Sequence, residues 1–198
     1  MVADVHLGYE WARGAGGDQV PAHSLAETVA KLERVLERAK VERLIVAGDL
    51  VESARPCRQS ARDVTKLERW LVGQGVELVA LQGNHDPPSR PPKAETIEVA
   101  GWTIGHGHRP IAAEKVMIGH HHPVLKGDGV VAPCFLVGPR RIVLPAFSPN
   151  AAGLDVTSPA LPDDLRADAP RCLAGLGDEL LDFGPLADLV VKLRGGFP

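Results

Sequence analysis

The amino-acid sequence predicts a single α/β domain that spans residues 1–198. In the first half of the chain, apolar runs alternate with amphipathic segments, as in folds built from strand–helix–strand units. Short apolar runs separated by turn residues fill most of the second half. Hydrophobic residues make up 44% of the chain and aromatic residues only 4%. The core must therefore be largely aliphatic, which is typical of strands buried between helices.

The first half contains two successive strand–helix–strand units. Their predicted order is strand 1–5, helix 25–39, strand 43–47, helix 60–72 and strand 76–81. A capping box formed by Ser24 and Glu27 marks the start of the first helix. Residues 8–17, which include four glycines, are expected to form a flexible loop. Because strands joined through a helix lie parallel with a right-handed crossover, this order predicts a parallel sheet.

The second half is predicted to be mostly β-structure. The expected strands are 96–99, 102–105, 115–118, 134–137 and 140–144. Gly138 and Pro139 indicate a hairpin between the last two strands. Residues 150–170 are rich in Pro, Ala and Asp and are expected to form a surface excursion, and a helix over 185–194 closes the chain.

Composition and charge narrow the classes of function. The formal net charge is −3, so the chain as a whole offers no strong attraction for nucleic acid. Residues 53–93 nevertheless hold seven Lys or Arg against four Asp or Glu, which predicts a basic rim suited to single strands or short ends. This rim includes Arg90 in a proline-rich loop. No apolar run approaches the roughly 18 residues of a membrane span. The three cysteines form no CxxC pair, and we expect reduced thiols in a cytoplasmic protein.

Polar residues with metal-binding chemistry follow the predicted strands. Seven of the eight histidines lie at predicted strand ends, and these are His6, His85, His106, His108, His120, His121 and His122. Asp4, Asp49 and Asn84 occupy equivalent positions. Ligands gather at the carboxyl ends of strands in open α/β sheets. Together these nitrogen and oxygen donors could hold two divalent ions of the borderline type, such as Mn, Fe, Zn or Co.

The order of these residues resembles a known family. Five blocks follow one another as Asp4-Val5-His6, Gly48-Asp49, Gly83-Asn84-His85-Asp86, His106-Gly107-His108 and Gly119-His120-His121-His122. This is the pattern of the calcineurin-like metallophosphoesterases, and it covers most of the chain. The resemblance implies a four-layer α/β/β/α sandwich and a metal-dependent phosphoesterase.

The resemblance also implies a division of the ligands between two divalent metals, with manganese expected first. One metal would be held by Asp4, His6, Asp49 and His122, and the other by Asp49, Asn84, His106 and His120. Asp49 would bridge them. Two cations about 3.5–4 Å apart activate a water and clamp the oxygens of a phosphate.

Four residues are expected to act outside the metal ligands. His85 would donate a proton to the leaving oxygen or place a positive charge on the transition state, with Asp86 orienting it. His106 is favoured over His108 as the ligand because it terminates its strand. His108 and Arg109 are therefore expected to contact the substrate.

Two further segments narrow the resemblance. Residues 2–10 and 141–147 look like the DNA-ligase-associated branch of small phosphoesterases, which is similar to repair nucleases of the same superfamily. That branch implies a phosphodiester substrate and a DNA-repair setting, and the basic rim described above could serve single-stranded or short nucleic acid. Its members have strands before the Asp-x-His pair, so the N-terminal edge of this chain is expected to be shortened.

Other functions stay open at this point. A phosphomonoesterase or a nucleotide pyrophosphatase would use the same metal ligands, because substrate choice depends on the loops. A metal-free scaffold for protein assembly would have lost several of the seven candidate ligands, and all seven are present. A metal-storing protein would have no need of His85. The sequence does not determine the oligomeric state.

Overall fold

The computed structural model describes residues 1–88, 93–127, 129–177 and 179–194. Its helices are α1 (Tyr9–Ala15), α2 (Ser24–Arg38), α3 (Arg58–Gly73), α4 (Asp163–Ala167) and α5 (Leu186–Arg194). Its first strands are β1 (Arg43–Val46), β2 (Glu77–Ala80), β3 (Thr96–Val99), β4 (Trp102–Gly105), β5 (Val116–Ile118) and β6 (Pro123–Gly127). The later strands are β7 (Val130–Val137), β8 (Arg141–Val143), β9 (Leu154–Asp155), β10 (Arg171–Leu176) and β11 (Glu179–Pro185). Arg90 of the predicted basic loop lies outside the described residues.

The strands form two sheets. β1 and β2 pair in parallel through the crossover helix α3, as the sequence predicts. The N-terminal segment joins this smaller sheet only through isolated bridges, such as Val2 with Val46. The larger sheet has the order β11-β10-β7-β8-β5-β4-β3, and β6 pairs with β7 and β9. β4, β5 and β8 are parallel, while the hairpins around them are antiparallel.

Alternating side chains show that the two sheets lie face to face between helices. On β1, Leu44 and Val46 belong to the apolar cluster that contains residues of α2 and α3. Ile45 belongs instead to a cluster shared with Met117 of β5, between the sheets. The neighbouring Val116 faces the opposite way, into the cluster that contains residues of α4 and α5. The structure is therefore the expected α/β/β/α sandwich.

Several predicted elements are confirmed and others are corrected. Helices α2, α3 and α5 and strands β1 to β5 and β8 match their predicted ranges closely. Residues 8–17 are not a loop throughout, because α1 occupies most of them. The predicted surface excursion at 150–170 is wrong: it contains β9 and α4, and Val156, Leu161 and Leu165 are buried. Those three side chains sit among Pro and Asp with no helical or strand period, so the sequence pattern conceals them.

The predicted capping box does not form. No side chain caps the first turn of α2. The Ser24 hydroxyl instead accepts a hydrogen bond from the backbone N–H of Gly8 at 3.0 Å. This contact joins the start of α2 to the loop that follows the Asp4–His6 pair.

No helix within the described ranges is both long and apolar enough to cross a membrane.

The packing of α3 makes a first prediction. Leu71 is 1% exposed, while its neighbour Val72 is 75% exposed. We expect Leu71→Ala to lower the free energy of unfolding by about 2–5 kcal/mol, because it leaves a cavity in the core. Val72→Ala is the matched control and should change it by less than about 0.5 kcal/mol. Urea unfolding of both variants checks this, and equal losses would contradict the assigned helix face.

Candidate metal centre

The candidate ligands share an unusual backbone conformation. Of the seven described non-glycine residues with positive φ, five are candidate ligands, at Asp4 (56°), His6 (52°), Asp49 (50°), His120 (68°) and His122 (45°). This left-handed conformation costs about 1–3 kcal/mol for a non-glycine residue and persists where the surrounding structure enforces it. The predicted strand 1–5 is therefore wrong: within this range only Val2 and Ala3 form isolated bridges, and Asp4 and His6 lie beyond them and turn into the site.

One group of side chains consists of Asp4, His6 and His122. One potential ligand atom from each lies within 4.8 Å of the others. His122 Nε2 is 3.1 Å from Asp4 Oδ1, and the rings of His6 and His122 have centroids 5.3 Å apart. Asp4 is fully buried. The resemblance assigns these three residues, together with Asp49, to the first metal.

A second group surrounds His106. Its Nε2 atom is 2.8 Å from Asn84 Oδ1 and 3.2 Å from Asp49 Oδ2. On the other side of the ring, Nδ1 donates to the carbonyl oxygen of Ala47 at 3.1 Å. The ring of His120 lies with its centroid 5.0 Å from that of His106. The four residues assigned to the second metal therefore lie together.

Asp49 lies between the two groups. Its carboxylate is within 4.8 Å of ligand atoms of His6 and His85 on one side, and of Asp4 and His106 on the other. Glycines pack directly against the carboxylates of the site, where a larger residue would not fit. A Cβ atom at Gly83 would lie 2.1 Å from Asp49 Oδ1, and one at Gly119 would lie 2.5 Å from Asp4 Oδ2. Any side chain at these positions would displace a carboxylate.

The polar atoms of the site are suited to a metal. Asp4 Oδ1, both ring nitrogens of His6 and His122 Nε2 are buried without a hydrogen bond of acceptable geometry. Buried polar atoms of this kind need a partner, and a cation supplies one. Carboxylate oxygens, an amide oxygen and imidazole nitrogens are donors that Mn, Fe, Zn and Co accept. The residues present therefore fit a divalent metal centre.

The charges in the site reinforce one another. Burial opposes ionisation of Asp49, but His106 and then His85 together offset it and lower the pKa of Asp49. Burial alone would lower the pKa of His106, yet Asp49 and then Asp4 raise it above its ordinary value. The pKa of His122 is also raised, because the nearby Asp4 carboxylate outweighs the lowering effect of burial. His120 behaves differently, since burial and the charge of His106 lower its pKa to about 4. Protons on His106 and His122 must leave before a metal can bind there.

Glu52 is a residue of the site that the sequence analysis missed. Its Oε2 atom lies 2.9 Å from Nδ1 of His6. Its backbone carbonyl accepts a hydrogen bond from Nδ1 of His85 at 2.7 Å. One residue thus touches both a candidate ligand and the candidate proton donor. Its position only three residues after Asp49 is the signal that could have revealed it.

His85 lies beside the candidate ligands. Its ring is perpendicular to that of His6, with centroids 5.2 Å apart. Because Nδ1 is engaged with Glu52, the Nε2 atom is the one available to a substrate. Its backbone N–H donates to Asp49 Oδ1 at 2.8 Å, which ties His85 to the central carboxylate.

Asp86 does not orient the His85 ring directly, which corrects the sequence prediction. Its carboxylate is 3% exposed and accepts hydrogen bonds from the backbone N–H groups of Gly83, at 2.9 Å, and Val51, at 3.2 Å. Lys93 Nζ lies 3.7 Å away. Asp86 therefore joins the loop that carries His85 to the segment after Asp49. Any direct catalytic role for it stays a prediction.

His108 and Arg109 lie at the edge of the centre. Nδ1 of His108 has no hydrogen-bond partner, and the ring centroid is 5.2 Å from that of His106. Burial, and then the charge of His106, lowers the pKa of His108. Arg109 is exposed and pairs with Glu95 at 3.2 Å. With His106, these residues line a cavity of about 340 Å³ that also contains Glu95 and Glu98. Contact of His108 and Arg109 with a substrate stays a prediction.

This chain is similar to known proteins in sequence and in structure. The DNA double-strand break repair protein Mre11 of Methanopyrus kandleri is 33% identical over 98 residues, which is 50% of this chain and 21% of that protein. The chain thus matches about one fifth of that relative's length. The crystal structure of Pseudomonas putida nuclease MPE superposes with a TM-score of 0.66 and 26% identity, over 92% of this chain and 86% of that chain. No protein-family model matches the sequence.

The four-layer fold, the convergence of the five sequence blocks and these similarities together define the class of protein. The chain belongs to the calcineurin-like metallophosphoesterase superfamily. Both similar proteins are by name a nuclease or a DNA-repair protein.

The contacts of Asp86 make a second prediction. We expect Asp86→Ala to lower the free energy of unfolding of the metal-free protein by about 1–3 kcal/mol, because two buried N–H groups lose their acceptor. Glu42→Ala is the matched control, since that acid is 81% exposed and pairs only with Lys40 in the described structure. Thermal unfolding distinguishes them. A stable Asp86→Ala protein would show that the carboxylate does not hold the loop.

Proposed function

We propose that this protein is a metal-dependent phosphodiesterase of the nuclease type that works with two divalent cations. The observation that carries the proposal is the convergence of all seven candidate ligands, with Asp49 between the two groups. The nearby His85 supports an enzyme over a metal-storing protein, because a storage site has no need of a proton donor. Retention of every ligand likewise argues against a metal-free scaffold.

Each group of side chains would hold one cation. The residues we assign to the first are Asp4, His6, Asp49 and His122, and those for the second are Asp49, Asn84, His106 and His120. When bound, two cations of this kind lower the pKa of a water and polarise the oxygens of a phosphate. Asp49 would be shared, and its position is fixed by the hydrogen bond from the His85 backbone.

The chain's own residues would then orient the substrate and move a proton. His85 would donate from Nε2 to the leaving oxygen, or place its charge there, while the Glu52 carbonyl holds Nδ1. Asn84 is exposed and His85 only half-buried, so a phosphate can approach from this side. His108 and Arg109 at the edge would contact the part of the substrate beyond the phosphate.

The substrate and the cellular process are proposed from the similar proteins and from the chain itself. We propose that the substrate is nucleic acid, single-stranded or short, and that the protein acts in DNA repair. The name of the Methanopyrus relative supports this. We propose manganese as the metal. We also propose that the fold described above is a single domain. Three free cysteines support action in the reducing cytoplasm.

Two substitutions test the roles of Asp49 and His85. Asp49→Asn should abolish hydrolysis of a chromogenic phosphodiester and reduce the metal content, because it weakens both sites at once. His85→Ala should keep its metal and lower the rate by about 10²–10⁴, the range for loss of a proton-transfer group. The measurements are turnover with Mn added back to stripped protein and metal content by elemental analysis.

The matching phosphomonoester serves as the control substrate. A preference for the monoester would redirect the function to phosphomonoesterase activity. Equal metal loss in the two variants would contradict the role given to His85. Full activity without metal would contradict the proposal as a whole.

A further inference from the structure

A second cavity lies next to the metal centre. It has a volume of about 490 Å³ and is bordered by α1 on one side and by residues 53–60 on the other. Helix α1 begins three residues after His6, and the opposite wall begins directly after Glu52. Because Glu52 contacts both His6 and His85, the two walls continue from the metal centre itself. The volume is in the usual range for a small-ligand site.

We propose that this cavity binds one nucleotide of the substrate strand, with the base against Trp11 and a phosphate between Arg55 and Arg58. These three residues are called the Trp11 subsite. The inference rests on the proposed function, since it names the part of a nucleic acid that lies beside the scissile phosphate.

Trp11 is a fixed aromatic surface. Its indole Nε1–H donates to Asp63 Oδ2 at 2.8 Å, and Asp63 is only 6% exposed. Lys66 also contacts that carboxylate, at 3.3 Å. The ring is therefore held by its polar edge, while the side chain as a whole is half-buried and borders the cavity. An aromatic ring held in place can stack a base with little loss of side-chain entropy.

Two cations face the same cavity. Arg55 and Arg58 are exposed, and neither makes an ion pair within the residues that the structure describes. Other arginines of the surface do, for example Arg13 with Asp18 and Arg43 with Glu77. Among the described residues, no acidic one lines this cavity. Unpaired guanidinium groups beside an aromatic ring form a combination that matches a phosphate joined to a base.

The subsite favours a single strand. A base can lie against Trp11 only if one of its faces is free of its neighbours, which an unpaired strand can provide and the interior of a duplex cannot. Stacking on an aromatic ring does not select one base, because every base has a π-face. The cavity therefore accounts for a substrate class and predicts little sequence preference.

The test compares a substrate that has bases with one that has none. The hydrolysis of single-stranded oligothymidylate and of methyl p-nitrophenyl phosphate by the full chain is measured with Mn present. Trp11→Ala should lower kcat/KM on the oligonucleotide by about tenfold, through KM, in line with the loss of one stacked base. On the small diester it should change kcat/KM by less than about twofold. Trp11→Phe should restore most of the loss, because it keeps a ring.

The arginines are tested by salt dependence. The double substitution of Arg55 and Arg58 by Ala should reduce the slope of log affinity against log salt by about 0.7 for each phosphate that the protein no longer neutralises. Fluorescence anisotropy of a labelled oligothymidylate measures this. Arg43→Ala is the matched control, because Arg43 is exposed and already paired, and it should leave the slope unchanged.

Equal losses on both substrates, or a Trp11→Phe variant as poor as Trp11→Ala, would overturn the subsite and leave Trp11 a packing residue. Failure of the unchanged protein to hydrolyse the small diester would instead contradict the proposed function. Binding by anisotropy needs no turnover, so it still decides on the subsite in that case. Weaker binding of the Trp11→Ala protein than of the Arg43→Ala protein would support it, and equal binding would refute it.

Discussion

The placement of the Asp49 carboxylate is the constraint on which the rest of the site depends. It lies just after a buried strand, in a left-handed conformation, between two groups of candidate ligands. The His85 backbone N–H and the His106 ring both contact it. Gly83 lies so close that a Cβ atom there would overlap it. Two separate loops thus have their positions set by one side chain.

The sandwich explains how distant residues reach this carboxylate. Two sheets packed face to face bring the ends of β1, β2, β4 and β5 to one edge. The loops at that edge each carry one or two candidate ligands, all within four residues of the end of the preceding strand. Left-handed φ values occur at three of the candidate ligands on these loops, and at Asp4 and His6 before β1. The aliphatic core supplies the stability that opposes this local strain.

Much of this arrangement was predictable because the reactive residues are contiguous in the chain. Short blocks such as Gly48-Asp49 identify both the chemistry and the strand end that carries it. The βαβ half was predictable for a related reason, since its helices and strands have clear apolar periods. Strand β10 was not, because its buried residues include Cys172 and Ala174, whose apolar signal is weak. Strand β11 has mostly exposed side chains and no alternation.

Contacts between blocks could not be predicted from the blocks themselves. Asp86 holds two loops together through backbone N–H groups, and a sequence motif does not show which backbone groups come near. Ser24 contacts Gly8 instead of capping its helix for the same reason. Glu52 joins His6 to His85 although neither is near it in sequence. Such tertiary contacts decide the roles of polar side chains that local patterns leave open.

The sharing of Asp49 is tested most directly by anomalous diffraction from crystals soaked in manganese. The account predicts two peaks about 3.5–4 Å apart, one on each side of the Asp49 carboxylate. One peak would lie near His6 and His122, and the other near Asn84 and His106. A single peak, or two peaks that do not share Asp49, would contradict the account of this centre.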